Sequence, residues 1–172
     1  MDSSVRHEFM DGEIYAMAGG SRNHAALAVA IGGALLNAAR DRDCLVQSSD
    51  LRIYVEAVDL ATFPDVSVIC GPLQEHKPGP EETALNPMIL VEVTSNSSEE
   101  YDLGSKREYY RTIPTLREYV VVSHRERRIT VDSRNVDGTW VTGVASRGER
   151  FELSSLQATI EVDEVYRNST IP

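Results

Sequence analysis

The chain is short of basic charge. Seventeen Lys and Arg stand against 27 Asp and Glu, for a net charge of −10 over 172 residues. That balance excludes a sequence-independent DNA binder working through a basic surface alone. It does not exclude an enzyme acting on nucleic acid, because acidic groups gathered at a metal site have their field reversed by the bound cation. Long apolar runs are also missing. The longest weakly polar window, HAALAVAIGGALLNAA, is Ala-rich and shorter than the roughly 18–20 residues of a membrane span. The start, MDSSVRHEFMDGE, is charged and has no apolar signal core, so a cytoplasmic location is the expectation. Cysteine is scarce. Cys44 and Cys70 make no disulfide framework, and each lies in an apolar context that predicts a buried, reduced thiol. No Cys/His spacing suggests a zinc site. There are no repeats, low-complexity tracts or long linkers. An apolar content of 41% is ordinary for a globular protein, and one domain over residues 1–172 is expected.

What is present reads as alternating strands and helices. Leu27, Ile31, Leu35 and Ala38 recur at helical spacing, predicting a helix from Ser21 to Arg40 with Ser21 or Asn23 as cap. Strands follow at CLVQSS, LRIYVEA, FPDVSVIC and MILVEV, the last two separated by the proline-rich loop EHKPGPEETALNP. A second, amphipathic helix is predicted over about Glu100 to Thr112, ended by Pro114. REYVVVS is another buried strand. RRITVDSR and WVTGVASR form a hairpin through NVDG, and FELSSLQATIEVDEVY begins strand-like and ends in a turn or short helix. The unit MILVEV–helix–REYVVVS predicts a parallel crossover, and the short loops before it predict antiparallel pairs. The expected fold is α/β or α+β, a mixed β-sheet flanked by helices with a C-terminal β-hairpin.

One residue breaks the apolar run MILVEV: Glu92. A buried carboxylate is costly unless paired, protonated or metal-bound, so Glu92 belongs either to a structural ion pair or to a site. One strand earlier, Asp65 follows Pro64 at the mouth of FPDVSVIC, where an Asp also serves as a turn residue. If the two strands are antiparallel neighbours, Asp65 and Glu92 share one edge of the sheet. Two such carboxylates repel, so one holds a proton or a cation sits between them. Hard oxygen ligands without His or Cys favour Mg²⁺ or Mn²⁺.

An Asp after Pro on one strand, and an acidic residue on the next strand two residues before a Lys, is the pattern of the PD-(D/E)xK nuclease superfamily. Here Thr94 stands where that Lys usually stands. Lys106, on the following helix, is the replacement considered; a solvated helix lysine is the plainer alternative. HEFMDGEIYAMAGGSRNHAAL, FPDVSVICG, NPMILVEVTSNSSEEYDLGSKREYYRTIPTLREYVVVS and the hairpin resemble the Uma2 family over about residues 7 to 166. The resemblance implies a restriction-endonuclease-like fold, commonly homodimeric, and catalytic positions at Asp65, Glu92 and Lys106. It also places Glu13, from DGE, as a further metal ligand or water-positioning group. His24 falls in family-like context, although a local hydrogen bond at the helix terminus accounts for it equally simply. The implied activity is Mg²⁺-assisted hydrolysis of DNA phosphodiester bonds, with Asp65 and Glu92 holding the metal.

Other features are less directive. Tyr101, Tyr109 and Tyr110 suit core packing or base stacking. The basic turn HRERR suits phosphate contact or an ordinary charged turn. Trp140 suits a packing anchor or a dimer interface. Two further readings stand beside the endonuclease: a catalytically inactive protein of the same fold acting as a DNA- or protein-interaction module, and a hydrolase of small phosphoesters, which would need a closed pocket.

Overall fold

The computed structural model describes residues 7–10, 13–16, 20–77 and 83–172. The first half contains β1 (His7–Met10), β2 (Glu13–Ala16), α1 (Arg22–Ala38), β3 (Cys44–Ser48), β4 (Arg52–Val55), β5 (Leu60–Thr62), β6 (Val66–Cys70) and β7 (Thr83–Ala84). The second half contains β8 (Ile89–Val93), α2 (Glu99–Leu103), α3 (Ser105–Arg111), β9 (Glu118–Val122), β10 (Arg128–Arg134), β11 (Trp140–Ser146), β12 (Arg150–Leu153), β13 (Ala158–Glu161) and α4 (Val162–Tyr166).

A six-stranded sheet in the order β11-β10-β9-β8-β6-β3 forms the centre. β8 and β9 pair in parallel through the α2–α3 crossover, as the strand–helix–strand order predicts, and β6 pairs antiparallel with β8. Every residue of β8 and β9 is buried, which is what a parallel pair covered on both faces requires. One face carries Leu27, Ile31 and Leu35 of α1 against Val66, Val91 and Val93, together with Leu156 and Val165 from the C-terminal segment. The other carries Leu90, Tyr110, Leu116 and Tyr119 against Ile53 and Leu60.

Four expectations need correction. The chain does not form one sheet: β2-β1-β5-β4-β7 make a second, five-stranded sheet, and β12-β13 a third. LRIYVEA is strand only to Val55, after which a 3-10 turn at Glu56–Val58 and left-handed Asp59 reverse the chain into β5. The second helix is broken at Gly104. A side chain there would place Cβ 2.7 Å from the Glu100 carbonyl oxygen, so the backbone kink between α2 and α3 needs glycine. The cysteines are not free thiols. Cys44 and Cys70 are directly opposite on β3 and β6 and form a disulfide, with Cα atoms 4.0 Å apart. The antiparallel register brings them together, which separation along the chain does not reveal. Among the described residues no helix is long and apolar enough to cross a membrane.

Candidate active site

β6 and β8 run antiparallel with Val66 opposite Val91. One step further along that register, Asp65 faces Glu92. The strand ends are tied together: the Val93 N–H donates to Asp65 Oδ2 at 2.7 Å. Asp65 Oδ2 also meets His24 Nε2 at 3.3 Å. Ser21 caps α1 by accepting from the His24 N–H at 3.2 Å. Gly20 leaves room for the imidazole, since a Cβ there would lie 2.7 Å from His24 Nδ1. The local hydrogen bond expected of His24 is thus real but belongs to its backbone; its ring is turned to Asp65.

Lys106 enters from α3. Its Nζ lies 2.8 Å from Glu92 Oε1, 3.2 Å from Glu8 Oε1 and 4.0 Å from Asp102 Oδ1. It is only 4% exposed and Glu92 5%, so the solvated-lysine alternative is excluded. The kink at Gly104 separates Asp102 and Lys106 onto two short helices while keeping their i, i+4 spacing. Tyr119 fixes that kink by donating its hydroxyl to the Asp102 carbonyl at 3.0 Å. Tyr110 donates to Glu92 Oε1 at 2.7 Å, and Thr62 donates to Glu8 Oε1.

This cluster is rich in acid. Burial pushes the Glu92 carboxyl up to about 8, opposed by the Lys106 ammonium and assisted by Asp102 and Asp65. Burial likewise raises Asp102 to about 6, again against Lys106. Burial acts to lower Lys106, but Glu92, Glu8 and Asp102 together hold its ammonium well above the ordinary lysine value. The hydrogen bond to Asp65 raises His24, against a smaller desolvation effect. One lysine therefore serves three buried or half-buried carboxylates, and the site holds a proton more readily than free carboxylates would.

These groups line one cleft of about 1470 Å³, whose other walls include Tyr101, Thr94 and His124. Of the residues singled out from sequence, Asp65, Glu92, Lys106 and His24 come together here. Glu13 lies on β2 opposite Met10, and its side chain is outside the described residues. Glu8 and Asp102 were not singled out. Asp102 could have been found from its spacing to Lys106 on a helix. Glu8 carried no local signal, since its contact with Lys106 spans 98 positions. Tyr110 is core and Tyr101 cleft wall. Trp140 is a packing anchor, with the Arg111 and Arg134 guanidiniums 5.6 and 5.7 Å from its ring centroid. The arginines of HRERR are paired: Arg125 with Glu99, Arg127 with Asp163 and Arg128 with Glu126.

A mixed sheet with a parallel crossover, carrying an Asp and a Glu at the ends of neighbouring strands and a lysine on the crossover helix, defines a nuclease-like fold of the restriction-endonuclease type. A solved structure described as "a putative nuclease belonging to DUF820" from Anabaena variabilis shares it, with a TM-score of 0.74 over 94% of this chain and 89% of the other. At 14% identity, that likeness concerns the fold. Residues 1–163 match the family described as "Uma2: Putative restriction endonuclease". The chain belongs to the Uma2 family. Two relatives from Synechocystis, both described as uncharacterized, are slr1290 and sll1609. The first is 36% identical and covers 94% of this chain and 84% of its own length; the second is 31% identical and covers 90% and 88%.

Proposed function

We propose that this protein is a Mg²⁺- or Mn²⁺-dependent endonuclease that hydrolyses DNA phosphodiester bonds, with Asp65 and Glu92 as metal ligands and Lys106 as the catalytic cation. The observation that carries the reading is the 2.8 Å contact between Lys106 Nζ and Glu92 Oε1, buried at the sheet end where Asp65 stands opposite Glu92. The donor set suits a hard cation. Asp65 uses Oδ2 for its bonds to Val93 and His24, and Glu92 uses Oε1 for Lys106 and Tyr110. Among the described residues these bonds fall on one oxygen of each carboxylate, and the proposal assigns the other to the metal. Among the described residues no group of three or more Asp, Glu, His or Cys side chains is placed to hold a metal ion, so the proposal relies on two carboxylates, with water and substrate supplying the remaining ligands.

A bound Mg²⁺ would supply Lewis acidity at a phosphate oxygen and a water of lowered pKa. The protein's own residues do the rest. Asp65 is oriented by the Val93 N–H and by His24. Lys106 is kept charged by its three carboxylates, so it can orient a nucleophilic water and stabilise charge growing on the phosphate oxygens. Tyr110 fixes the Glu92 carboxylate. Glu8, bonded to both Lys106 and Thr62, holds the lysine from the far side. Glu13 enters the proposal as a further ligand or water-positioning group, and a homodimer as the working unit.

The paired state of the HRERR arginines favours a second reading, an inactive nuclease-fold protein that binds a partner and does no chemistry. Incubation of supercoiled plasmid with Mg²⁺ or Mn²⁺ separates the two, using wild type, Glu92→Gln and Lys106→Ala. Nicking by wild type that both variants lose supports the endonuclease. No cleavage by any of them, with no metal binding by calorimetry, leaves the interaction module.

A further inference from the structure

Lys106 and His24, the cationic groups nearest the proposed metal ligands, are both committed to carboxylates. The cleft contains another donor that the reaction scheme above does not use. Thr94 lies two residues beyond Glu92 and continues the β8 ladder, its N–H donating to the Val122 carbonyl at 3.0 Å. In a strand that spacing returns the side chain to the same side, roughly 7 Å along the chain. Thr94 is 1% exposed, and its hydroxyl oxygen accepts the His124 backbone N–H at 3.1 Å. The same oxygen meets His124 Nδ1 at 2.7 Å. On its other side, His124 Nε2 lies 3.0 Å from Asn96 Oδ1. Asn96 sits in a turn closed by reciprocal bonds: the Ser95 N–H donates to Ser98 Oγ at 3.0 Å and the Ser98 N–H to Ser95 Oγ at 3.2 Å.

Asn96 Oδ1, an acceptor, faces His124 Nε2 and favours the tautomer with its proton there. The Thr94 hydroxyl has one hydrogen to donate, and its two acceptors are the Val122 carbonyl at 3.5 Å and His124 Nδ1 at 2.7 Å. With the ring proton on Nε2, Nδ1 is an acceptor and the hydroxyl donates along the shorter contact. A neutral imidazole that accepts at Nδ1 carries its proton on Nε2. A charged imidazole carries one there as well. In both states Nε2–H is a donor, held from behind by a buried threonine and paired in front with an uncharged amide oxygen that a phosphate oxygen can replace. The two rings of the cleft differ in this respect, because His24 is paired with a carboxylate.

We infer that His124 is a further catalytic residue, whose Nε2–H binds a non-bridging oxygen of the scissile phosphodiester while Thr94 holds the ring in the donor tautomer. The inference rests on the endonuclease reading for its role in turnover, and on the geometry alone for phosphate binding. Two measurements on the full chain test it. The first is Mn²⁺-supported plasmid cleavage by wild type, His124→Ala and His124→Gln. His124→Ala lowers kcat by about 10²–10³-fold, the scale for loss of one transition-state donor. His124→Gln, which keeps a neutral N–H donor on a side chain of similar reach, recovers to within about tenfold. The Mn²⁺ titration midpoint stays where it is in both, since His124 touches neither metal ligand. The second measurement needs no turnover: ¹H–¹⁵N spectra of the imidazoles during titration with the dinucleoside phosphate TpT and Mg²⁺. A saturable shift at His124 Nε2, absent in Thr94→Val, is the expected result. Wild-type cleavage by His124→Ala, equal loss in the Ala and Gln variants, or an imidazole that TpT leaves unmoved would overturn the assignment. If wild type cleaves nothing, the endonuclease reading falls by itself, and the TpT titration alone decides whether His124 binds a phosphodiester.

Discussion

Lys106 and Arg107 are neighbours on one short helix, yet they serve two buried carboxylates of opposite character. Lys106 faces Glu92 on β8 and Arg107 faces Asp132 on β10. Asp132 is fully used. Its Oδ2 accepts from Arg107 Nε, and its Oδ1 from Arg107 Nη2 and from the Thr142 hydroxyl at 2.6 Å, with Arg111 Nη2 at 3.4 Å. Two guanidiniums serve one carboxylate. At Glu92 the ratio is reversed, with one ammonium among Glu92, Glu8 and Asp102. Burial depth does not separate the two, since Asp132 is 1% exposed and Glu92 5%. What separates them is whether the protein supplies enough positive charge. The carboxylate that clamps helix to sheet is saturated by the chain itself, and the one we propose as a metal ligand is left short of positive charge.

The largest effect expected from that difference is on activity. Glu92→Gln should reduce cleavage by at least about a hundredfold without lowering thermal stability at pH 8, because the amide removes a charge that burial disfavours. Lys106→Ala should lose activity on the same scale and also lose stability at pH 8, where three carboxylates are left without their ammonium. A Glu92→Gln protein that both cleaves normally and melts early would make Glu92 the same kind of group as Asp132.

Asp132→Asn makes the opposite test. Removing the charge leaves two guanidiniums facing an amide, which costs about 3 kcal/mol, the low end for a broken buried pair because the arginines keep some contact with water. Denaturant unfolding should show that loss, while the Mg²⁺ affinity measured by calorimetry stays unchanged. A fall in metal affinity would mean the two networks are not separate.

Gly104→Ala should damage both at once. Its Cβ would lie 2.7 Å from a backbone oxygen of α2, so the start of α3 must shift and carry Lys106 and Arg107 with it. A loss of about 1–3 kcal/mol, together with reduced cleavage, is expected. Reduced cleavage at full stability would show that only the Lys106 side depends on the kink.

Much of this contrast was legible in the sequence, for reasons that are local. Glu92 interrupts an apolar run, Asp65 begins the preceding one, and Lys106 is one of only two lysines in the chain. The β8–helix–β9 unit is contiguous, so its hydrophobic pattern predicts it directly. What could not be read depends on distant pairing. Glu8 reaches the site because β1 pairs with β5, through Met10 and Leu60 among others, and strands of three or four residues have too short a period to signal that. The choice of Glu13 from the same segment followed the family motif, where no periodicity distinguishes one acidic residue of HEFMDGE from another. The Cys44–Cys70 bridge depends on the β3–β6 register in the same way. The Arg107–Asp132 pair is not legible either, because nothing local says that α3 lies against β10.

The smallest expected effect concerns pH, and its sign follows from the shifts. Glu92 titrates near 8 in the folded protein against 4.5 for the free side chain, and Asp102 near 6 against 3.8. A group whose folded value is raised adds stability that is fully present below its unfolded value and lost as pH rises through the folded one. His24, raised above 6.5 by Asp65, acts in the same direction. Lys106, raised well above 10.5, is charged throughout and adds no slope. Stability of the metal-free protein should therefore carry a component that declines from about pH 4 to 8. The comparison of wild type with Glu92→Gln isolates the Glu92 share, so the difference between their melting temperatures should shift against wild type across that interval. Saturating Mg²⁺ at pH 8 should remove the Glu92 share by binding the ionised form, so that the wild-type curve flattens and the Gln variant barely responds. A difference that grows in favour of wild type with rising pH would mean that Lys106 already neutralises Glu92, and that the site is as saturated as the one around Asp132.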